Sequence, residues 1–325
     1  MSNLKSSIAP FEQADTRKSI WQITNTILPF VTFWYFAYRS LSVSFWVTFL
    51  FAIPASGFLV RTFIIFHDCC HISFFKSKKA NAFVGNITGI LTTFPYEQWK
   101  FEHAVHHGTN GNLDRRGTGD IWTLTVNEYF SLSSFQKMIY RLYRNPIVLF
   151  GLGPLYLVLI QYRFNRKLAG RKERWNTYVT NTALIAVWGG LSWLLGWQAV
   201  LLVQAPIVYL SAMVGIWLFY VQHQFDNGYF ENTKNWSYES AAMEGSSFYK
   251  LPKPLQWITG NIGFHHIHHL SPRVPNYNLQ KVSETNDFFQ SIPSIGFWSS
   301  LRSLRHRLWD EKEKRFVHFN DAKKY

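Results

Sequence analysis

The sequence predicts an all-α integral membrane protein with about four transmembrane helices plus interfacial helices. Three observations carry this reading. Of 325 residues, 47% are apolar, 18% aromatic and only 16% charged, well below the charged share usual in soluble domains. Several apolar runs approach or reach the roughly 20 residues that cross a bilayer at about 1.5 Å per residue. The net charge is +14, and the basic residues flank the apolar runs. Such a charge suits either nucleic acid or an anionic membrane surface. Nucleic-acid binding does not require the apolar runs, so no nucleic-acid partner is expected.

Taken in order, residues 1–22 form a polar segment without the apolar core of a signal peptide. Residues 23–38 make the first span and 43–66 the second, with Arg61 near its end. Residues 81–94 are too short to cross and carry Gly85 and Gly89. Residues 147–162 are apolar but broken by Gly151, Gly153 and Pro154. Residues 178–195 and 199–221 are full length, joined by a turn at Gly196, Trp197 and Gln198. Phe297, Trp298, Leu301, Leu304 and Leu308 recur at helical spacing among Arg302, Arg305, Arg307 and Lys312, the pattern of an amphipathic helix. A basic cytoplasmic tail is expected at 311–325, leaving 23–310 as the main domain.

Nine of the twelve histidines fall into three clusters: His67-Asp-Cys-Cys-His71, His103-Ala-Val-His106-His107 and His265-His266-Ile-His268-His269. Helix positions i, i+3 and i+4 share a face, so each cluster can aim two or three imidazoles at one point. So many rings are too many for one ion, and the spacing points to a di-metal site. His223 closes the last span and would emerge beside them. The expected ligands are His67, His71, His103, His106, His107, His223, His265, His268 and His269. His266 points about 100° from His265 and is assigned to the surroundings of the site or to solvent, while His306 and His318 read as surface residues. Asp68, Glu102, Asp114, Asp120 and Asp226 are candidates to orient the rings. The glycine-rich stretch 108–119 is too irregular for a phosphate fingerprint and reads as a loop over the site, with Arg115 and Arg116 facing lipid phosphate or solvent.

If the clusters meet, they lie on one side of the membrane, and an even number of crossings separates the second from the third. Residues 147–162, flanked by Arg141 and Arg144 before and by Arg163, Arg166, Lys167, Arg171, Lys172 and Arg174 after, are then the piece that does not cross. Basic flanks belong on the cytoplasmic side, so this piece reads as interfacial or re-entrant. Four crossings and a cytoplasmic His-rich cap holding the di-metal site follow, and Lys5, Arg17, Lys18 and the 76–79 run agree. Adjacent Cys69 and Cys70 imply no disulfide framework, in keeping with a cytoplasmic-facing site. Imidazole suits iron, copper and zinc alike, so spacing does not name the ion. Position beside lipid favours a redox metal, because breaking an unactivated C–H bond calls for oxygen chemistry. A metal transporter would place ionisable ligands mid-membrane, and the HExxH signature of a zinc protease is absent.

In order and layout, the three boxes HDCCH, HAVHH and HHIHH closely resemble those of the membrane fatty acid desaturases. The surrounding sequence, including FIIFHDCCH, GTGDIWTLTVNEY, WLFYVQH and GNIGFHHIHHLSPRVPNY, is similar to the acyl-lipid desaturases of bacilli, and to their delta-5 branch in particular. The resemblance implies two iron ions, O2 as co-substrate and formation of a cis double bond in acyl chains of membrane phospholipids. It also implies ferredoxin or flavodoxin as electron donor, residence in the cell membrane as a multi-pass protein, and production that responds to cold. Three residues between the first pair of histidines, rather than four, favour a lipid-linked substrate over acyl-CoA. Phe219 stands where the acyl-CoA branch carries an Asn one turn before the last span's His. The aromatic segment 83–94 is expected to line the acyl slot. The alternative is a membrane di-iron hydroxylase on the same scaffold, which the histidines alone do not separate from a desaturase.

Overall fold

A computed structural model describes the chain from residue 6 to residue 324, apart from residues 227, 291 and 293; Lys5 therefore lies outside the described residues. Helices dominate. The first, α1 (Thr16–Ser40), starts where the Asp15 carboxylate accepts the backbone N–H groups of Arg17 and Lys18, satisfying donors that the helix leaves orphaned. It packs antiparallel along α2 (Phe45–Cys70), which is capped by the Ser44 hydroxyl. Two shorter helices follow, α3 (Lys78–Thr92) and α4 (Tyr96–Thr109). A bent pair comes next: α5 (Ser134–Tyr143), then a π-turn at Val148–Leu152 leading into α6 (Gly153–Leu159). Two long helices, α7 (Arg171–Leu195) and α8 (Trp197–His223), form a hairpin turned at Gly196, whose φ is +88°. Beyond them lie α9 (Lys253–Ile258), α10 (His265–Leu270) and α11 (Asn276–Thr285).

Among the described residues, three helices qualify as spans by length and composition, α2, α7 and α8, and the bent segment from α5 through residue 163 makes a fourth if it counts as one. At 26 residues α2 is about 39 Å long, ample for a hydrocarbon core of about 30 Å. The bend of 62° lies between Ser134–Tyr143 and Val148–Arg163, the geometry of a broken span or of a re-entrant loop. The expected first span lies within α1, which at 25 residues has the length but is diluted by polar residues, with Ser19, Gln22 and Thr26 buried.

The centre of the bundle is α2. Of its apolar stretch 56% is buried, against 22% for α8 and 6% for α7. Ala52, Ala55 and Leu59 meet Phe30 and Ala37 of α1 and Val203 and Ile207 of α8. Val60 and Ile64 meet Leu218 and Val221 of α8. Ile65 and Phe66 meet Tyr96 and Trp99 of α4. Arg61 is buried inside α2, donates Nε–H to Thr26 and lies over the Trp257 ring at 4.0 Å.

The segment after 296 departs from the expected amphipathic helix. Only Phe297–Ser300 is α-helical, followed by a 3-10 turn at Leu301–Arg305. The chain then extends, and Leu308–Asp310 pairs in parallel with Leu124–Thr125 and antiparallel with Arg315–Val317. Leu308 and Trp309 are fully buried there. Strand pairing and burial outweigh the helical period. Residues 315–322 accordingly pack on the cap, with Phe316, Val317 and Ala322 buried.

Close packing at the α3–α4 turn depends on Gly89. A Cβ there would lie 2.6 Å from the Phe94 carbonyl oxygen and 3.0 Å from the Phe66 ring. Gly190, on lipid-facing α7, has nothing within 4 Å. Gly89→Ala should therefore cost about 1–3 kcal/mol, while Gly190→Ala should be neutral or stabilising by up to about 1 kcal/mol. Thermal unfolding of the two variants in detergent tests the contrast; equal effects would contradict this packing.

Candidate metal centre

Four elements bring the histidines together. His67 lies in the last turn of α2 and His71 caps it; His103, His106 and His107 come from α4; His223 ends α8; His265, His268 and His269 come from α10. The two long helices thus deliver their C-terminal ends to one level, where the short helices close over them. All nine expected ligands are placed in two groups. His67, His71, His103, His107 and His268 form one, and His106, His223, His265 and His269 the other. Within each group the nearest ring nitrogens all lie within 4.8 Å of one another. The HxxHH spacing splits between the groups: His103 and His107 face one and His106 the other.

The contacts inside each group have the geometry of a coordination shell. In the first, Nε2 atoms are 3.0 Å apart for His67 and His103, 3.1 Å for His103 and His107, and 3.0 Å for His107 and His268. In the second, the separations are 3.1 Å for His106 and His223, 3.0 Å for His223 and His265, and 3.1 Å for His265 and His269. Nitrogens about 2.1 Å from a common ion and about 90° apart would be about 3.0 Å from each other, whereas a tetrahedral angle would set them about 3.4 Å apart. The spacing fits shells with more than four positions.

Hydrogen bonds on the far side of the rings support this. His106 donates Nδ1–H to the Asp120 carboxylate at 2.6 Å. His223 donates Nδ1–H to the Gly245 carbonyl at 3.1 Å. In the neutral form both rings then present bare Nε2 lone pairs to each other at 3.1 Å. Two acceptors that close repel unless a cation lies between them. His67 likewise donates Nδ1–H to Asp68 at 3.0 Å, and the other Asp68 oxygen is held by the Asn276 backbone and side-chain N–H groups at 2.6 and 2.8 Å. These carboxylates fix tautomer and ring orientation. Burial first, and neighbouring imidazoles second, hold His71, His103, His107, His265, His268 and His269 well below the ordinary imidazole value. They are neutral at physiological pH, the form that binds metal. The donor set fits two transition-metal ions, with five imidazoles for one and four for the other.

Of the other expected orienting groups, Asp68 and Asp120 take that place. Glu102 instead accepts from Tyr162 and Gln98, Asp114 accepts the Thr233 backbone N–H, and Asp226 faces His306 at 3.2 Å. His266 belongs to neither group and does not reach solvent. It is fully buried between the Phe248 and Phe289 rings, and burial pushes its pKa down to about 3. His306, expected at the surface, is buried, while His318 is half-buried. Arg116 is committed to Glu128 and to the Leu113 and Thr123 carbonyls. Gly119 lets its loop approach the site: its φ is +73°, and a Cβ would lie 2.8 Å from the Glu102 carbonyl and 3.1 Å from the His106 Cβ.

A cavity of about 390 Å³ ends on His67, His103 and His265, and so touches both groups. It runs between α2 (Leu59, Val60, Phe63), α6 (Tyr156, Leu157) and α8 (Ala212, Gly215, Phe219). Phe94 and Thr92 line it, but Phe83 is exposed on the outer face of α3. The slot is therefore offset from the expected 83–94 segment. Phe219 packs 5.0 Å from both His106 and His223. Sequence reasoning missed Trp99, stacked on His103 at 4.2 Å; its place one turn before that histidine was the available signal.

Two outcomes test this centre. Asp120→Asn should lower affinity for the second ion about 10- to 100-fold, read as metal content per chain after dialysis against a chelator, while the first ion stays. The depressed imidazoles also make metal-free stability depend on pH. Unfolded histidines take up protons near 6.5 and the buried ones do not, so stability is full above that value and falls as pH drops below it. The Tm of metal-free protein should be lower at pH 5.5 than at pH 7.5; the reverse order would contradict buried neutral rings.

Comparison with known proteins places this geometry. Residues 44–290 match the family model described as fatty acid desaturase. A fatty acid desaturase of Bacillus subtilis is 55% identical over 98% of this chain and 91% of its own length. An endoplasmic reticulum omega-3 fatty acid desaturase of Vigna radiata is 27% identical over 77% of this chain and 67% of its own. An sn-1 acyl-lipid omega-3 desaturase (ferredoxin) of Synechocystis is 26% identical over 68% of this chain and 62% of its own. The chain belongs to the fatty acid desaturase family.

Proposed function

We propose that this desaturase acts on acyl chains esterified in membrane phospholipids, introducing a cis double bond at the delta-5 position. The observation that carries the reading is the apolar cavity ending on histidines of both groups. Overall, two hydrogens leave neighbouring methylenes, one O2 is consumed with two electrons and two protons, and two waters form. When bound, two iron ions held by His67, His71, His103, His107 and His268 and by His106, His223, His265 and His269 would supply the oxygen activation. The chain's own task is to hold one pair of methylenes against them and keep water out. Trp99 and Phe219 wall the reacting end, and the apolar surfaces of α2, α6 and α8 take the tail.

The delta-5 position rests on resemblance, and cavity depth is compatible with it. On α8 the lining runs from Gln222 back to Val208, about 21 Å along the axis. A bond near the carboxyl end leaves a methyl-side tail that a slot of this depth accommodates. Ferredoxin or flavodoxin is the proposed electron donor; the Synechocystis relative is named for ferredoxin. The basic flanks of the apolar segments support a multi-pass protein of the cell membrane with its His-rich cap in the cytoplasm.

Expression in a host lacking unsaturated lipids, followed by location of double bonds in its phospholipids, tests the reading. The expected product has lost one hydrogen from each of carbons five and six; addition of oxygen instead would favour the hydroxylase. His103→Ala and His268→Ala should each abolish the product while protein still accumulates, and normal unsaturation in either would defeat the assignment.

A further inference from the structure

Residues 161–178 carry six basic side chains and one acid, Glu173. The fold disposes of them unequally. Arg163 is tied to Asn181 and to the Thr93 carbonyl. Arg166 is paired with Glu173, and Lys172 with Glu97. Arg174 donates to the Ala169 carbonyl. Lys167 and Arg171 are exposed and have no partner among the described residues. Around them stand apolar groups that also lack cover: Leu168 is 81% exposed, Trp175 69%, Phe164 68% and Tyr178 55%. Free cations set among exposed aromatics describe a surface at the level of lipid headgroups.

This surface is held firmly against the reaction site. Asn181 returns a hydrogen bond to the Arg163 carbonyl. Asn176 accepts the Glu97 backbone N–H, and Thr177 bonds Gln98, so α7 is fixed to the start of α4, the helix of the second histidine box. Gln161 and Tyr162, immediately before the strip, line the cavity.

We propose that Lys167 and Arg171 form a binding site for the headgroup of an anionic bilayer phospholipid beside the acyl cavity. The inference rests on the lipid-desaturase reading for the purpose of the bound lipid, but its test does not depend on turnover. Full-length protein is placed in micelles containing equal amounts of phosphatidylglycerol and phosphatidylcholine, and the lipids it retains are counted by native mass spectrometry. The wild type should retain phosphatidylglycerol in preference, and Lys167→Gln/Arg171→Gln should cut that preference about tenfold. Raising salt should weaken it in the wild type. A charge-matched control, Lys234→Gln/Lys281→Gln, removes two exposed lysines elsewhere and should keep the preference. No preference in the wild type, or equal loss in the control, overturns the proposal. Anionic-lipid preference in a protein that makes no double bonds would sink the functional reading and leave this site standing.

Discussion

The structure depends on one electrostatic problem: nine imidazoles gathered in two groups, eight of them with a ring nitrogen about 3 Å from a neighbour's. Water would relieve such crowding, but burial excludes it. Protonation would relieve it pairwise, but burial and the neighbouring rings oppose charge. Cations at the two focal points would satisfy the converging lone pairs. The rest of the cap can be understood as the means of holding rings in a geometry they would not choose alone. Asp68 and Asp120 pin two of them from behind, and the Gly245 carbonyl pins a third.

Division of labour between long and short helices follows from this. The long helices, buried in apolar neighbours, set the level at which His67 and His223 emerge. The short ones, α4 and α10, close from above and supply six of the nine converging histidines. Because His103 and His107 turn to one group and His106 to the other, α4 is shared between the two. A small rotation of that helix would disturb both. Tyr96, whose hydroxyl donates to the Cys69 carbonyl of α2, and Trp99, packed on Phe63 and Phe66, oppose such a rotation.

Much of this was legible in the sequence, and the illegible parts have physical reasons. Histidine spacing on helices is a local property, so the converging histidines could be read, including His223 from its place at a span's end. The orienting groups could not be sorted by proximity in sequence. Glu102 adjoins His103 yet turns to Tyr162, while Asp120, fourteen residues beyond His106, bonds it. The Gly245 carbonyl has no residue-type signature at all. The cavity was displaced from the 83–94 segment because α3 presents its small residues inward. Gly85 and Gly89 approach Tyr96, Phe94 and Phe66, and this turns Phe83 outward. The terminal strands were missed because a helical period in apolar residues is also satisfied by one short turn followed by a buried strand.

The bent segment has a consequence for how material reaches the reaction. One wall of the cavity, α6, is seven residues long and follows a π-turn, and its Leu155 and Leu159 are exposed. On this side the cavity is therefore bounded by a short, irregular helix. An acyl tail that slips past it exchanges one greasy medium for another and never meets water. Traffic would then run sideways within the leaflet, so turnover would follow how freely neighbouring lipids diffuse and how stiffly they pack.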